Sequence, residues 1–252
     1  MEVLVSLKIV PDDQDIQTTA DGKLDFSIAK PVISSYDQNA IEAAAQIEGA
    51  NVSAITVGPA SINDTKQRKN ILARGPKQLF MVADDTFQDA DANVTAKAIV
   101  AGAQKAGNFD LIVFGAGSAD TYAQQVGIQV GELLGWPVVN GVSKITAGEG
   151  SITVERTTET EVQTIDVPLP AVVAVTSDIV EPRIPSMRDI LKAGKLPVTE
   201  WTAADLGSDT TKAIDIIETV APAPADRKRE VFDASVDGDI DKFAAALAEA
   251  LR

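Results

Sequence analysis

A run of small residues follows a short apolar segment near the middle of the chain. Residues 111–114 are all apolar, and Gly115, Gly117 and Ser118 come directly after them. Asp120 stands where the next helix is expected to begin, so the segment predicts a buried strand, a tight loop and a helix N-terminus. Backbone N–H groups and the helix dipole at such a point favour a phosphate group. The segment therefore predicts a nucleotide-binding site.

Two simpler interpretations of this loop stay open. Asp120 could cap the following helix instead of contacting a ribose or a phosphate-bound group, and the two glycines could merely form a tight turn. The chain has no G-x-G-x-x-G after a strand and no G-x-x-x-x-G-K-[ST]. Neither the dinucleotide fingerprint nor the P-loop therefore supports the site.

The composition excludes several kinds of chemistry. The chain has no His and no Cys, which removes the commonest general base and every thiolate nucleophile, thiolate ligand and disulfide. Its carboxylates do not cluster with the spacing of a metal-binding loop, so we expect no metal site and no catalytic residue. The net charge of −15 argues against nucleic acid as a partner. No apolar run reaches the roughly 18 residues of a membrane span and no basic leader precedes the first apolar run, so we expect no membrane insertion and a cytoplasmic protein.

Strands alternate with helices through the first half of the chain. Apolar runs at residues 3–9, 52–57, 78–82 and 111–114 predict strands, and the segments between them have helical periodicity, with Asp37 as a helix cap. This alternation predicts an α/β fold with a mostly parallel twisted sheet flanked by helices.

The pattern changes after residue 137. Segments 138–145, 152–157 and 161–167 alternate between apolar and polar residues and predict an antiparallel hairpin extension, and residues 171–175 predict another buried strand. An Ala-Pro linker at 221–225 precedes a short amphipathic helix at 241–251. We therefore divide the chain into a nucleotide-binding α/β domain, 1–207, and a linker with a C-terminal arm, 208–252. The arm either packs on its own domain or grasps a partner.

A stiff segment with two prolines occupies residues 180–187. Met187 stands at its end, where a soft apolar side chain on a rigid loop suits a docking contact. The alternative is that this methionine tucks into the local core.

An ordered set of motifs gives the chain a family resemblance. In order they are VLVSLKIVPDDQDI, ISSYDQNAIEAA, ARGP, YAQQVGIQVGELL, PVVNGVSKI, LPAVVAV and EPRIPSM-x-x-IL-x-A-x-K-x-P. Nearly end to end, the chain resembles the beta subunit of electron-transfer flavoproteins, and it is most similar to the Fix type associated with anaerobic carnitine metabolism.

The resemblance implies a nucleotide-binding, adenine-nucleotide-hydrolase-like fold and an electron carrier subunit that is not itself an enzyme. It implies a heterodimer with a larger alpha subunit, an FAD shared with and held mainly by alpha, and an AMP in the beta pocket. The pair would shuttle electrons between acyl-CoA-type dehydrogenases or reductases and another redox carrier. The C-terminal arm would dock on the alpha subunit.

The resemblance also assigns residues. The nucleotide pocket comprises Ser6, Ser34, Tyr36, Asp37, Val57, Gly115, Gly117, Ser118, Asp120, Gln124, Gln125 and Val126. The residues near the flavin held by alpha are Val10, Pro11, Asp12 and Asp13. The residues that dock a dehydrogenase or reductase, in the 180–190 loop, are Arg183, Pro185 and Met187.

Two departures from the family pattern bear on the cofactor. Many relatives have Asn-Pro-Phe at residues 34–36, and bifurcating members have Gly and Ala in place of Thr121 and Gln124. Larger side chains there leave less room for FAD, which favours AMP over a second FAD in the pocket. Electron bifurcation with FAD in the beta pocket stays an alternative. A nucleotide-sensing module without a redox role is another, whereas a related hydrolase or ligase would need a Ser-Gly-Gly-x-Asp-Ser loop that residues 6–13 do not supply.

Overall fold

The structure is a computed structural model that describes residues 1–223, 227 and 229–251. The strands are β1 (Glu2–Leu7), β2 (Ile9–Pro11), β3 (Gln17–Thr18), β4 (Leu24–Asp25), β5 (Pro31–Ile33), β6 (Asn51–Gly58), β7 (Gln78–Ala83), β8 (Leu111–Gly115), β9 (Val138–Ala147), β10 (Ser151–Thr157), β11 (Val162–Pro168), β12 (Ala171–Val175) and β13 (Val198–Trp201). The α-helices are α1 (Ser35–Gln46), α2 (Thr65–Leu72), α3 (Ala92–Ala106), α4 (Val126–Leu134), α5 (Met187–Ala193), α6 (Ala203–Leu206) and α7 (Asp239–Ala250).

Nine strands form the central sheet in the order β11-β10-β9-β12-β8-β1-β6-β7-β13. From β9 to β13 all neighbours are parallel, whereas β10 runs antiparallel to β9 and to β11. The predicted α/β class, with a mostly parallel sheet and an antiparallel hairpin extension, is confirmed.

Helices cover both faces of the sheet. Residues of β1 alternate between two cores, so that Val3 and Val5 pack on the side of α1 and α2, and Leu4 packs on the side of α3 and α4. Because both faces are buried, the central strands are continuous apolar runs, as in β12, whose five residues are all buried.

The direction of winding reverses beside β1. The chain passes from β1 through β6 to β7 on one side and then returns to β8 on the other side of β1. In such sheets a crevice opens at the carboxyl ends of the two strands where the order reverses, and ligands bind there. The predicted nucleotide loop begins at the end of β8, so the fold places it at this crevice.

The predicted strand at residues 3–9 is interrupted at Lys8. β1 ends at Leu7, and Ile9 begins β2, which pairs with β5 in a separate two-stranded sheet. The backbone N–H of Lys8 donates to the carboxylate of Asp37 at 2.8 Å, and this contact replaces a strand pairing.

The predicted cap of α1 is also displaced. Ser34 occupies the N-cap position, and Asp37 lies in the first turn of the helix and is buried. The prediction that Asp37 caps this helix was therefore wrong by three residues. Its carboxylate turns inward because it accepts backbone hydrogen bonds from two strands.

The last strand of the sheet lay outside the sequence prediction. β13 pairs with β7, and Trp201 stacks on Phe80 with ring centroids 5.3 Å apart. Its four residues are too short a run to show a period.

The C-terminal segment begins against α3. Backbone N–H groups of Ala213 and Ile214 donate to Asp91 at 2.6 and 3.1 Å. Residues 224 and 225 of the expected linker lie outside the described residues. No residue of α7 is buried, and Phe243 and Leu247 on its apolar side are about half exposed. On this side Phe243 packs edge-on against Phe232, with ring centroids 5.7 Å apart.

Candidate functional site

A buried carboxylate joins the two strands at the crevice. Asp37 accepts the backbone N–H of Lys8 at 2.8 Å through Oδ2, and that of Gly115 at 3.3 Å through Oδ1. Burial raises the pKa of Asp37 to about 7, although the two backbone donors act in the opposite direction. The first turn of α1 therefore fixes the carboxyl ends of β1 and β8 relative to each other.

Close approach explains both glycines of the loop. A Cβ on Gly115 would lie 2.8 Å from Asp37 Oδ1 and 2.8 Å from the backbone carbon of Tyr36. A Cβ on Gly117 would lie 2.5 Å from the ring of Tyr122, and that ring in turn lies 4.9 Å from the ring of Tyr36. The absence of a side chain at both glycines therefore lets the loop pack closely against the start of α1 and the ring of Tyr122. A tight turn alone would not require glycine for this reason.

The helix after the loop begins later than predicted. Its first residue is Val126, because Tyr122 and Gln124 have left-handed φ values of 47° and 58° and so cannot continue a helix from Asp120. The prediction that Asp120 opens or caps this helix was therefore wrong.

Asp120 forms an ion pair across the crevice instead. Its Oδ2 lies 2.5 Å from Lys8 Nζ, and its Oδ1 accepts the backbone N–H of Thr121 at 2.8 Å. Burial by itself would raise the pKa of Asp120, but the hydrogen bonds from Lys8, Ser118 and the backbone of Thr121, together with the charge of Lys8, outweigh it, and the pKa is lowered. Asp120 is therefore ionised at neutral pH, and Lys8 compensates its charge.

The N-terminus of α4 has no side-chain cap. Gln125 at the cap position makes no capping hydrogen bond within the described part of the chain. The N–H groups of the first helical turn therefore point outward without a side-chain acceptor, beside Gln124, Gln125 and Val126. Such groups are suited to a phosphate.

The remaining predicted pocket residues share the same edge of the sheet. Ser34 is buried, and its Oγ accepts the backbone N–H of Ala119 at 3.2 Å. Ser6 is buried near the end of β1, and Val57 follows Thr56, the residue of β6 that is in register with Leu7. Ser118 Oγ lies 3.2 Å from Thr121 Oγ1 within the loop. The structure thus joins the loop after β8 to residues 34–37 by direct contacts and places Ser6 and Val57 at the carboxyl ends of neighbouring strands.

The residues predicted near the alpha flavin extend from the same edge. Val10 and Pro11 belong to β2, and the Asp12 side chain accepts the N–H of Gln14 at the start of a short turn that contains Asp13. Their role toward the flavin stays a prediction.

The predicted docking segment, residues 180–190, and the residues just before it are attached to α1 by side chains. Asn39 Nδ2 donates to the carbonyls of Ser177 and Val180, both at 2.8 Å. Glu42 is buried and binds the guanidinium of Arg183 in a bidentate pair, with Nε at 2.5 Å and Nη2 at 2.9 Å. Arg183 therefore has a partner within its own chain, and its part in docking stays a prediction.

Met187 is the first residue of α5 and is 73% exposed, so its side chain does not tuck into the local core. Ser186 and Asp189 form a capping box that fixes the start of this helix, and Pro185 precedes it. The segment therefore presents Met187 from a rigid support, and its docking role stays a prediction.

Three polar residues at these contacts, Lys8, Asn39 and Glu42, are not among the residues predicted from the sequence. The two polar residues of α1 stand three apart among alanine and isoleucine, a spacing that places them on one face of the helix. This pattern alone could have indicated a polar contact on that face.

Within the described ranges, no group of three or more acidic side chains is arranged to hold a metal ion. Likewise, none of the described helices is both long enough and apolar enough to cross a bilayer.

The fold defines an α/β protein of the doubly wound kind, with the loop after β8 at the switch point where such sheets bind ligands. A profile of the electron transfer flavoprotein domain matches residues 27–206, from the segment before β5 to the end of α6. This match covers well over half of the chain, so the chain belongs to the electron transfer flavoprotein family. Proteins of this family are flavin-dependent electron carriers rather than catalytic enzymes.

Proposed function

We propose that the chain is the beta subunit of a heterodimeric electron-transfer flavoprotein. In this role it carries electrons between acyl-CoA-type dehydrogenases or reductases and another redox carrier. The observation that carries the proposal is the family match. The matched region includes the switch point of the sheet, where the loop after β8 is held against α1. The motifs shared with Fix-type proteins add a role in anaerobic carnitine reduction to the proposal.

The crevice supports AMP as the nucleotide of this subunit. Ser6 and residues 34–37 line the side where an adenosine would lie, and the uncapped N-terminus of α4 suits its phosphate. Lys8 compensates Asp120, which would otherwise repel that phosphate. The bulk of Thr121 and Gln124 favours AMP over a second FAD.

The redox chemistry belongs to an FAD shared with the alpha subunit, which supplies one- and two-electron transfer when bound. In this proposal the residues of this chain act by position. Val10, Pro11, Asp12 and Asp13 would lie near the flavin held by alpha, and the unburied side of α7 would offer an apolar contact to alpha. A flavin carrier needs no acid–base pair, which agrees with a chain that has no His and no Cys.

Cofactor content of the complex tests the proposal. The alpha and beta chains are purified together and denatured, and the released FAD and AMP are quantified by chromatography. Equal amounts of FAD and AMP support the proposal. Twice as much FAD without AMP would make a bifurcating carrier the better assignment, and a nucleotide without flavin would favour a sensing module.

A pair of variants sharpens the same test. Thr121→Gly combined with Gln124→Ala restores the small residues of the bifurcating pattern, and we expect it to admit FAD into the beta pocket. Thr146→Gly combined with Gln163→Ala makes matched changes in β9 and β11, away from the crevice, and should leave the cofactor content unchanged.

A further inference from the structure

A cavity lies at the amino-terminal edge of the sheet, opposite the predicted nucleotide crevice. Its volume is about 430 Å³, and it is open to solvent between the ends of α3 and α4 and the segment that leads into β8. Phe109, Leu134 and Trp136 line it, and each of them is partly buried against the core on the side of α3 and α4. None of the site residues predicted from the sequence belongs to the lining of this cavity.

Asp110 supplies a carboxylate to the wall of this cavity. Its Oδ2 accepts the backbone N–H of Glu2 at 2.8 Å, and its own backbone N–H donates to the carbonyl of Glu2, also at 2.8 Å. These two bonds fix Asp110 at the start of β1. Within residues 1–223, 227 and 229–251, its Oδ1 accepts no hydrogen bond and its carboxylate forms no ion pair.

The carboxyl ends of two helices line the same cavity. Ala103 and Gln104 in the last turn of α3 and Leu134 at the end of α4 belong to its lining. The carbonyls of a last helical turn lack partners within the helix and carry the negative end of the helix dipole. Asp110 and both helix ends therefore favour a positive charge in the cavity.

In the part of the chain that the structure describes, no basic side chain lines this cavity. Lys105, the basic residue in the last turn of α3, lies instead over the ring of Trp201, with Nζ 5.5 Å from the ring centroid. The amino group of Met1 lines an adjoining cavity that shares Asp110, but it donates to the carbonyl of Gly49 at 3.3 Å. The negative charge of the wall is therefore available to a bound cation.

We propose that this cavity binds a small alkylammonium cation, with the alkyl groups against Phe109, Leu134 and Trp136 and the charge beside Asp110. Aromatic rings attract cations through their faces, and tryptophan does so most strongly. A hydrated metal ion would lose water to the apolar walls without gaining enough oxygen ligands, and a neutral apolar molecule would desolvate the Asp110 carboxylate without pairing it. The inference goes beyond the nucleotide crevice and does not rest on the proposed function.

The test is a titration of the full, ¹⁵N-labelled chain with choline chloride at constant ionic strength. The indole N–H signals of Trp136 and Trp201, the two tryptophans of the chain, provide the readout. Trp201 is the internal control, because three strands separate β13 from β8. We expect saturable shifts of the Trp136 indole and of amides 103–110, with a Kd of about 10 mM or lower. Equal shifts of both indoles, or no saturation up to about 100 mM, would overturn the proposal.

An uncharged analogue separates the charge of the ligand from its shape. In the tert-butyl analogue of choline, carbon replaces the nitrogen atom, so the molecule keeps the shape of choline and loses the charge. We expect it to bind at least about tenfold more weakly than choline. Equal affinity of the two molecules would show a merely apolar pocket and overturn the proposal.

Two charge-neutralising variants provide the matched comparison. Asp110→Asn keeps an acceptor for the N–H of Glu2 but removes the charge, and it should lower the affinity for choline at least about fivefold. Asp178→Asn makes the same change at an exposed residue after β12, at the opposite edge of the sheet, and should leave the affinity nearly unchanged. Equal weakening by both variants would show a net-charge effect and overturn the proposal.

A third variant tests the aromatic wall without touching Asp110. Trp136→Leu keeps an apolar side chain and removes the ring, and amides 103–110 then provide the readout. We expect the affinity for choline to fall at least about threefold, while the affinity for the uncharged analogue changes little. An unaltered affinity for choline in this variant would overturn the contact with Trp136 and with it the proposed site.

Discussion

Lys8 Nζ lies 2.5 Å from Asp120 Oδ2, and this contact joins the residue after β1 to the loop after β8. The two side chains are 47% and 26% exposed, so their pairing contributes little to the stability of the fold, about 1 kcal/mol or less. Its importance is local, because it sets the charge beside the uncapped N-terminus of α4.

Substitution of Lys8 and substitution of Asp120 should change the nucleotide affinity to different extents. Lys8→Met leaves the carboxylate of Asp120 without compensation beside the phosphate position, and we expect the affinity for AMP to fall about tenfold. Asp120→Asn removes the negative charge and should not lower the affinity for AMP. Calorimetric titration of nucleotide-free protein measures both. If Asp120→Asn lowers the affinity for AMP as much as Lys8→Met does, Asp120 contacts the nucleotide directly.

The pH dependence of stability should carry a signature of Asp37. Its folded pKa, about 7, lies above the ordinary value of 3.8, so folding favours the protonated form. Between these two values the unfolded chain has lost the proton that the folded chain keeps, and the contribution of Asp37 to the free energy of unfolding falls as pH rises, by about 1.4 kcal/mol for each unit of pKa shift.

Asp37→Asn isolates this contribution. The amide cannot accept both backbone N–H groups, so the variant is less stable than wild type by roughly 1–3 kcal/mol at low pH. This deficit should shrink between about pH 5 and about pH 8, because only the wild type is penalised by ionisation. Urea unfolding at the two pH values measures the difference, and a constant deficit would contradict the raised pKa.

The two loop glycines should differ in their tolerance of alanine. At Gly115 the added Cβ meets backbone at 2.8 Å, which cannot move without shifting α1, and we expect a loss of about 2–3 kcal/mol. At Gly117 it meets the ring of Tyr122, which is 46% exposed and can rotate away, so the loss should be about 1 kcal/mol. Thermal unfolding of both variants gives the ranking, and the opposite order would contradict this packing.

The pair of Glu42 and Arg183 should stabilise the docking segment. Burial would raise the pKa of Glu42, but hydrogen bonds from Arg183 and Gln46 outweigh it and the pKa is lowered. The stabilisation is therefore complete above the ordinary pKa near 4.5 and is lost as pH falls through the folded value.

Substitution of Arg183 should lower the free energy of unfolding more than substitution of Glu42. Arg183→Met strands a buried carboxylate and should cost about 2 kcal/mol, a figure reduced because the arginine is 44% exposed to solvent. Glu42→Gln keeps a hydrogen-bond acceptor and should cost about 1 kcal/mol. Urea unfolding measures both, and faster proteolysis of residues 177–186 should accompany each. Wild-type stability in Arg183→Met would show that the pair does not hold this segment.

Docking should fail when Met187 becomes charged. Met187→Asp places a carboxylate at the exposed apolar position, and we expect the half-saturating concentration of the heterodimer with an acyl-CoA dehydrogenase to rise at least about tenfold while flavin content is unchanged. Val162→Asp, at a 61% exposed position on β11, is the matched control. An unaltered half-saturation in Met187→Asp would remove this residue from the docking contact.

The sequence predicts the fold well because its signals are local. Apolar runs and helical periods identify the central parallel strands and α3, and Asp91 accepts the N–H of Val94 at the start of that helix. The predicted loop after β8 also lies at the switch point of the sheet. These strands, this helix and this loop can be predicted because residues close together in sequence determine their burial pattern and their turns.

The parts that could not be predicted depend on long-range contacts. The role of Asp37 depends on backbone N–H groups from the ends of two strands that are distant in sequence. The start of α4 depends on the left-handed backbone of Tyr122 and Gln124, and neither residue type favours that conformation. Glu42 is buried only because Arg183, far away in sequence, returns to it. Sequence periodicity contains no information about such contacts.

The helix α1 and its N-cap residue contact both the predicted nucleotide crevice and the predicted docking segment. Ser34 and Asp37 contact the first, whereas Asn39 and Glu42 contact the second. A genetic screen for lost partner recognition would therefore return substitutions in α1 that also impair cofactor retention. Substitutions in α5 should impair partner recognition alone, so under the proposed function the chain could change partners through α5 without losing a bound nucleotide.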